Sequence, residues 1–421
     1  MSERRVVITG TGLITALADS RQALHEALCN GRRGLKRVQL FSDPLLDGRP
    51  IAGEITGFDP SFYLGEQNFR PLDRTSQLLI SAAQLALNDS RWTPEELEIE
   101  TVGLVVGTTF CSLRTISAFD RRALVEGPSC ASPLDFANTV INAAAGQTGI
   151  WHKLRGVNST ISTGITSALE ALTYAAGLIR DGHENAILAG GVEDLCVESL
   201  LAFQRAGLLL DGSKDDDCFP VPFDKLSNAF ALAEGAALLM LEERDSALAR
   251  GSVILAELKG GGSYFDSAQA CRPTDQPLRS QTSRSIGIAT AIAGALEESQ
   301  IGVADVETFS LGANGNCFCD SVEALGYEQI FKHCSPSKPG TAIKAMLGEN
   351  MGASAAIQTI EAISTLTDGR ISGVPGYTDN GHNRPFVSIS STSRKVESRN
   401  CLVSSVGLDG HCCALIIGAP T

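Results

Sequence analysis

The chain has 421 residues, of which 43% are hydrophobic and only 5% aromatic, with 42 glycines and a formal net charge of −14. That length exceeds one ordinary domain and predicts one large duplicated fold or two domains. The acidic balance argues against nucleic acid and membrane as partners, because nucleic acid and anionic lipid both demand a basic face. No apolar run reaches the roughly 18 to 20 residues that span a bilayer. Residues 1–5 lead at once into a strand pattern without the apolar stretch of a secretory signal, so a soluble, cytoplasmic protein is expected. The 12 cysteines are irregularly spaced and read as reduced thiols rather than a disulfide framework.

In chain order, "RVVITGTG" (5–12) predicts a short buried strand stopped by a glycine turn. Its Gly-x-Gly invites a dinucleotide reading, but the third glycine of that fingerprint would fall on Thr15, so no cofactor is expected there. "TVGLVVGTT" (101–109) predicts a second strand. "GVNSTISTGITSALEAL" (156–172) reads as a loop climbing onto a helix. Leu169, Leu172, Ala176 and Ile179 carry that helix to its stop at Asp181-Gly182. "AILAGG" (186–191) is another strand, and "DGSKDDD" (211–217) a solvated acidic loop. Residues 245–255 pass from helix to strand, after which the pattern starts again. Leu311 to Phe331 and Ile343 to Leu366 look like counterparts of first-half elements. Two related α/β halves, 1–250 and 251–421, are therefore expected.

Several segments together carry a resemblance that runs the whole length. They are "RVVITGTGLITAL" at the start, "AAAGQTGIWHKLRG" (143–156), "LIRDGHENAILAGGVED" (178–194), "PFDKLSNAFALAEGAALLMLEERDSALARG" (222–251), "KAMLGENMGASAA" (344–356) and "SSVGLDGHCCALII" (404–417). With them the chain resembles a β-ketoacyl synthase. The resemblance implies a thiolase-like five-layered αβαβα fold of two related halves that works as a dimer.

The family's chemistry takes a cysteine at a buried helix N-terminus as the acyl nucleophile. Two histidines help to decarboxylate the extender and stabilise the enolate. Aligned without gaps, the cysteine position falls on Ile165, the first histidine on Gly312 and the second on Glu349. Isoleucine forms no thioester, glycine has no side chain, and a carboxylate would repel a malonyl group. The late loop that carries the family's acyl-gating phenylalanine reads Val406-Gly407-Leu408. Lys344, Glu323 and Glu234 are retained, read as a leftover ion pair holding two loops.

Within the family this combination is similar to a chain length factor, the ketosynthase β-subunit of type II polyketide synthases. The resemblance implies a heterodimer with a catalytically complete ketosynthase, a role in shaping the tunnel for the growing polyketide, and no condensation by this chain alone. Chain length factors carry a glutamine linked to malonyl decarboxylation where Ile165 stands, so only the scaffold and tunnel role is carried over. Residues 109–142 correspond to the part that reaches the partner's acyl pocket. Phe110, Leu113, Ile116, Phe119 and Phe136 are its candidate tunnel residues, the rest of the stretch being interface or core. Carrier-protein docking is expected mainly on the partner, since this chain is acidic like the carrier.

Cys317-x-Cys319 and His411-Cys412-Cys413 fall on two loops that converge near the old site in this fold. Cys-x-Cys is a weak metal signal, so packing thiols and no metal are expected. Asp320 should raise a neighbouring thiol's pKa. His25, His152, His183, His333 and His382 show no ligand spacing and are expected at the surface or at helix ends. Two other functions compete: a stand-alone acyl-transfer or hydrolytic enzyme on a degenerate scaffold, using Ser167, Thr166 or Cys319, and a module that merely holds a carrier protein.

Overall fold

A computed structural model describes residues 4–40, 46, 50–210, 219–224, 227, 229–267, 285–334, 336–378 and 386–420. The acidic loop at 211–217 and His382 lie outside the described residues.

Eleven strands form the main sheet: β1 (Val6–Thr15), β2 (Gly103–Gly107), β3 (Asn158–Ile161), β4 (Ala186–Glu193), β5 (Gly235–Glu243), β6 (Ala256–Phe265), β7 (Thr308–Ser310), β8 (Lys338–Thr341), β9 (Val387–Ile389), β10 (Asn400–Val406) and β11 (His411–Gly418). Their spatial order is β9-β8-β7-β10-β11-β6-β1-β5-β4-β2-β3. Strands from residues 6–243 lie on one side and those from 256–418 on the other. The two sides join where Val6, Val7 and Ile8 of β1 pair with Leu258, Glu257 and Ala256 of β6. On each side the central strands are antiparallel and the outer ones parallel. Parallel neighbours need helical crossovers.

Those crossovers and the other helices used below are α1 (Arg21–Cys29), α2 (Arg74–Asp89), α3 (Leu113–Val125), α4 (Ala143–Trp151), α5 (Ser167–Arg180), α6 (Val197–Arg205), α7 (Ile286–Ser299), α8 (Cys317–Phe331) and α9 (Ser354–Asp368). Strand alternation sorts them into layers. Leu239 and Leu241 of β5 face α5 and α9 in a central core, with Cys413, Leu415 and Ile417 of β11 on its other side. Leu238 and Met240 face α2 and α4. Cys412, Ala414 and Ile416 face α7 and α8. The result is the thiolase-like αβαβα stack. No described helix is long and apolar enough to cross a membrane.

The first glycines do not stop the first strand. β1 runs through Gly10 and Gly12 to Thr15, with a register shift between Ile8 and Gly10. A Cβ on Gly12 would lie 2.0 Å from the Ala82 carbonyl, and one on Gly10 2.5 Å from the Ser90 nitrogen. These glycines let α2 lie directly on the strand rather than turn it. Residues 158–161, read as loop, form β3 because they find β2 alongside.

One histidine expectation fails: His25 lies inside α1 and is 3% exposed. His152 is at a helix end as expected, capping the C-terminus of α4, and is 8% exposed. The His152 Nε2 contacts the Ile80 carbonyl at 3.0 Å, and burial lowers its affinity for a proton. His183 and His333 are exposed as expected.

Candidate functional site

The chain leaves β3, makes a 3₁₀ turn at Gly164–Thr166 and enters α5. Hydroxyls brace this turn. Ser167 Oγ accepts from the Thr163 nitrogen at 2.9 Å and lies 2.6 Å from the Gly164 carbonyl. Thr109 Oγ1 donates to the same carbonyl at 3.0 Å, and Thr166 Oγ1 to the Thr163 carbonyl at 2.8 Å. Ser167 and Thr166 are fully buried and saturated by local main chain, so they serve as struts.

The tip of the turn is Ile165, 3% exposed. Its side chain joins an apolar cluster with Leu195, Leu200, Phe230, Leu232 and Met351. Phe110, Phe203 and Leu408 pack against that cluster. Phe203 stands edge-to-face on Phe230, centroids 5.6 Å apart, and Phe110 on Phe203 at 6.2 Å. The helix N-terminus therefore aims its partial positive charge at a hydrocarbon group rather than an anion.

Gly312 donates its N–H to Glu323 Oε1 at 2.8 Å. A Cβ there would lie 2.8 Å from the Ser404 carbonyl and 3.1 Å from Ser405 Cα. A histidine enters this position only if main chain moves. Glu323 also accepts from Ser404 Oγ at 2.6 Å, which contacts the Tyr327 hydroxyl at 2.8 Å. Burial pushes the Glu323 carboxyl up to about 7, against the hydrogen bonds from Ser404 and Gly312.

Glu349 is not the free anion that its sequence position suggested. Lys344 Nζ sits 2.9 Å from its Oε2, with both groups at most 2% exposed. Asn314 Nδ2 donates to Oε2 at 2.9 Å, and Ser354 Oγ donates to Oε1. The retained lysine thus pairs with the substituted glutamate, and Glu323 and Glu234 have other partners. Glu234 is held by Arg74, whose Nε and Nη2 lie 2.7 Å from its two oxygens, and by the Ile55 N–H at 2.8 Å.

Of the late loop, Leu408 packs towards Ile165, whereas Val406 points into the outer core beside α7 and α8. Cys412 and Cys413 follow each other on β11 and face opposite layers, so they cannot converge on one ion. Burial first, and Asp320 second, raise the Cys317 thiol. No group of His, Cys, Asp and Glu among the described residues has metal-binding geometry.

The candidate tunnel residues divide. Phe110 belongs to the cluster at Ile165. Leu113, Ile116 and Phe119 lie on α3, of which no residue is buried. The Phe119 and Phe136 rings lie 5.9 Å apart, and Phe136 is 61% exposed. Sequence reasoning missed Phe203, Phe230 and Met351, which wall in Ile165, and Asn314 and Ser354, which satisfy Glu349.

The family model described as "Beta-ketoacyl synthase, N-terminal domain" matches residues 3–247, and "Beta-ketoacyl synthase, C-terminal domain" matches 256–378. The chain is 28% identical to a 3-oxoacyl-(acyl-carrier-protein) synthase 2 of Vibrio harveyi, over 97% of each protein. It is also 28% identical, over 98% of each, to the "Tetracenomycin polyketide synthase ketoacyl synthase beta subunit" of Streptomyces glaucescens. Among solved structures, "The ishigamide ketosynthase/chain length factor" superposes over 100% of both chains with a TM-score of 0.89 at 24% identity.

Two outcomes are expected. Glu349→Ala strands the Lys344 ammonium in the core and should cost about 3–5 kcal/mol in denaturant unfolding; a loss under 1 kcal/mol would mean that water reaches the lysine. The Glu323 pKa, raised from 4.5 to about 7, makes the folded state bind the extra proton between those values. Its contribution to stability therefore falls as pH rises through that window and is constant above it. The stability of Glu323→Gln relative to the parent should rise by about 3 kcal/mol from pH 4.5 to pH 8. A difference independent of pH would show that Glu323 ionises as an ordinary carboxylate.

Proposed function

The chain belongs to the β-ketoacyl synthase family, and within it we propose that it is a chain length factor. It pairs with a catalytically complete ketosynthase of a type II polyketide synthase and shapes the tunnel in which the polyketide grows. One observation carries this reading: the turn that presents the nucleophile in the family ends in Ile165, enclosed by Phe230, Leu200 and Met351. Neither an acyl chain nor a thioester has a place there. Gly312 and Glu349 agree with it, because their surroundings are built for the residues present. The likeness to the tetracenomycin β subunit supports the same role.

A partner is implied by the surface next to this site. β3 is the last strand of the sheet and pairs only with β2 among the described residues. α3 is amphipathic yet buries no residue, and Leu124, Val125, Leu134, Phe136, Val140 and Ile150 are exposed. An open strand edge and a broad apolar face each await cover. Phe119 and Phe136 lie on this face and are the floor candidates for the partner's tunnel. Phe110, turned towards Ile165, is not. The net charge of −14 favours carrier docking on the partner. The stand-alone enzyme reading is disfavoured because Ser167 and Thr166 are locked as struts.

The test is native mass spectrometry on the protein from its own cells. A 1:1 complex with a cysteine-bearing ketosynthase, acylated on that chain alone, is expected. A homodimer that itself gains an acyl group would overturn the proposal. Within such a complex, Phe119→Ala removes an overpacking cost of about 1–3 kcal/mol against a longer chain. The ratio of longer to shorter product should rise about tenfold. Unchanged product lengths in both Phe119→Ala and Phe136→Ala would exclude these rings as the floor.

A further inference from the structure

On the flank formed by α1 and the end of α9, a thiol, an imidazole and a carboxylate stand in line. His25 and Cys29 are four residues apart on α1, hence on one face. The Cys29 Sγ lies 3.6 Å from His25 Nε2. The other ring nitrogen, Nδ1, lies 2.9 Å from Glu361 Oε1 on α9. Cys29, His25 and Glu361 are 7%, 3% and 1% exposed. This is the order of a nucleophile, the base that takes its proton, and the carboxylate that orients the base. The Asp368 carboxylate is 3.7 Å from Nε2. Arg370 pairs with Glu26 at 3.3 Å, and interaction with Cys29 raises its pKa. Burial alone would lower the imidazole's hold on a proton, but hydrogen bonds with Cys29 and Glu361 outweigh it and raise the value to about 10. Glu361 Oε2 is buried without a hydrogen-bond partner, so the carboxylate is committed to the ring.

None of these residues belongs to the candidate site at Ile165. We propose that Cys29 is a reactive thiol and the protein's site of mixed-disulfide formation with a low-molecular-weight disulfide such as glutathione disulfide. His25 holds the thiol's proton as an imidazolium beside the sulfur, and the sulfur attacks one sulfur of the disulfide. The Cys29–S bond forms as the S–S bond of the reagent breaks. The departing thiolate takes the proton from His25 and leaves as a thiol. Cys29 is oxidised, the released sulfur is reduced, and no further reagent is required. The sulfur closes α1, followed by the exposed Asn30 and Gly31, which leaves a short way out to solvent.

The remaining thiols supply the control. Cys130 is exposed and has no imidazole partner among the described contacts. The protein, both in its native assembly and as the separated chain in which Cys130 is uncovered, is treated with limiting glutathione disulfide, and adducts are located by peptide mass spectrometry. Cys29 is expected to be modified first, at least tenfold faster than Cys130, although Cys130 is the more accessible. His25→Gln and Glu361→Gln should each remove that lead while leaving the Cys130 rate unchanged. Modification of Cys130 ahead of Cys29 in the unaltered protein would overturn the proposal, and this holds even if a variant fails to fold. A lead that survives in a folded His25→Gln protein would overturn the role of the imidazole.

Discussion

A lysine ammonium and a glutamate carboxylate at 2% and 0% exposure cannot both leave water unless each compensates the other and the remaining valences are filled. Around Lys344 and Glu349 they are. Asn314 comes from the loop before α8, Ser354 from the start of α9, and Lys344 from the short helix at 344–347. The Glu349 main chain meanwhile bridges Ala231 and Ala233, its N–H donating at 2.8 Å and its carbonyl accepting at 2.9 Å. Four segments are therefore held by one charge pair. Removing either charge leaves the other buried, so Glu349 is a structural fixture of the core.

The same logic explains how the turn at Gly164–Thr166 keeps its shape with an isoleucine at its tip. The turn at Gly164–Thr166 is held by hydroxyl and main-chain bonds that do not involve the side chain at position 165. A reactive thiolate in such a place is a local cost to the fold, tolerated for activity. An isoleucine against Phe230 and Met351 is instead a gain of buried hydrocarbon. Gly312 relieves crowding between the Ser404 carbonyl and Glu323 in the same way. Each of the three replacements is thus compatible with a stable core, and none requires the others to move.

Much of this was legible in the sequence, and the reasons for the rest are specific. The glycine-rich motifs and strand–helix alternation located the layers. β1 was misjudged because glycine signals both a turn and a close approach of two backbones, and only α2 lying on Gly10 and Gly12 distinguishes them. The partner of Lys344 was misjudged because a family pattern assigns the lysine to a site, whereas the buried glutamate five residues on is closer. His25 looked like a surface residue because its apolar surroundings come from α9, more than 300 residues away. Phe203 and Phe230 carry no motif. They matter only because the turn faces them.

The surface next to the site closes the comparison between lost chemistry and kept shape. An unpaired edge at β3 and exposed leucine, valine and phenylalanine side chains at 124–136 each invite aggregation in a chain that stands alone. Natural sheets blunt such edges with charge, proline or a covering element, and Asn158 to Ile161 carry none of these. Leu124, Val125, Leu134 and Phe136 are exposed here although Asp120 and Glu126 stand among them, so covering this face would bury hydrocarbon. Under the proposed role, the turn at Gly164–Thr166, the Lys344–Glu349 pair and the filled pocket would serve to hold α3 and β3 in the shape that another subunit fits.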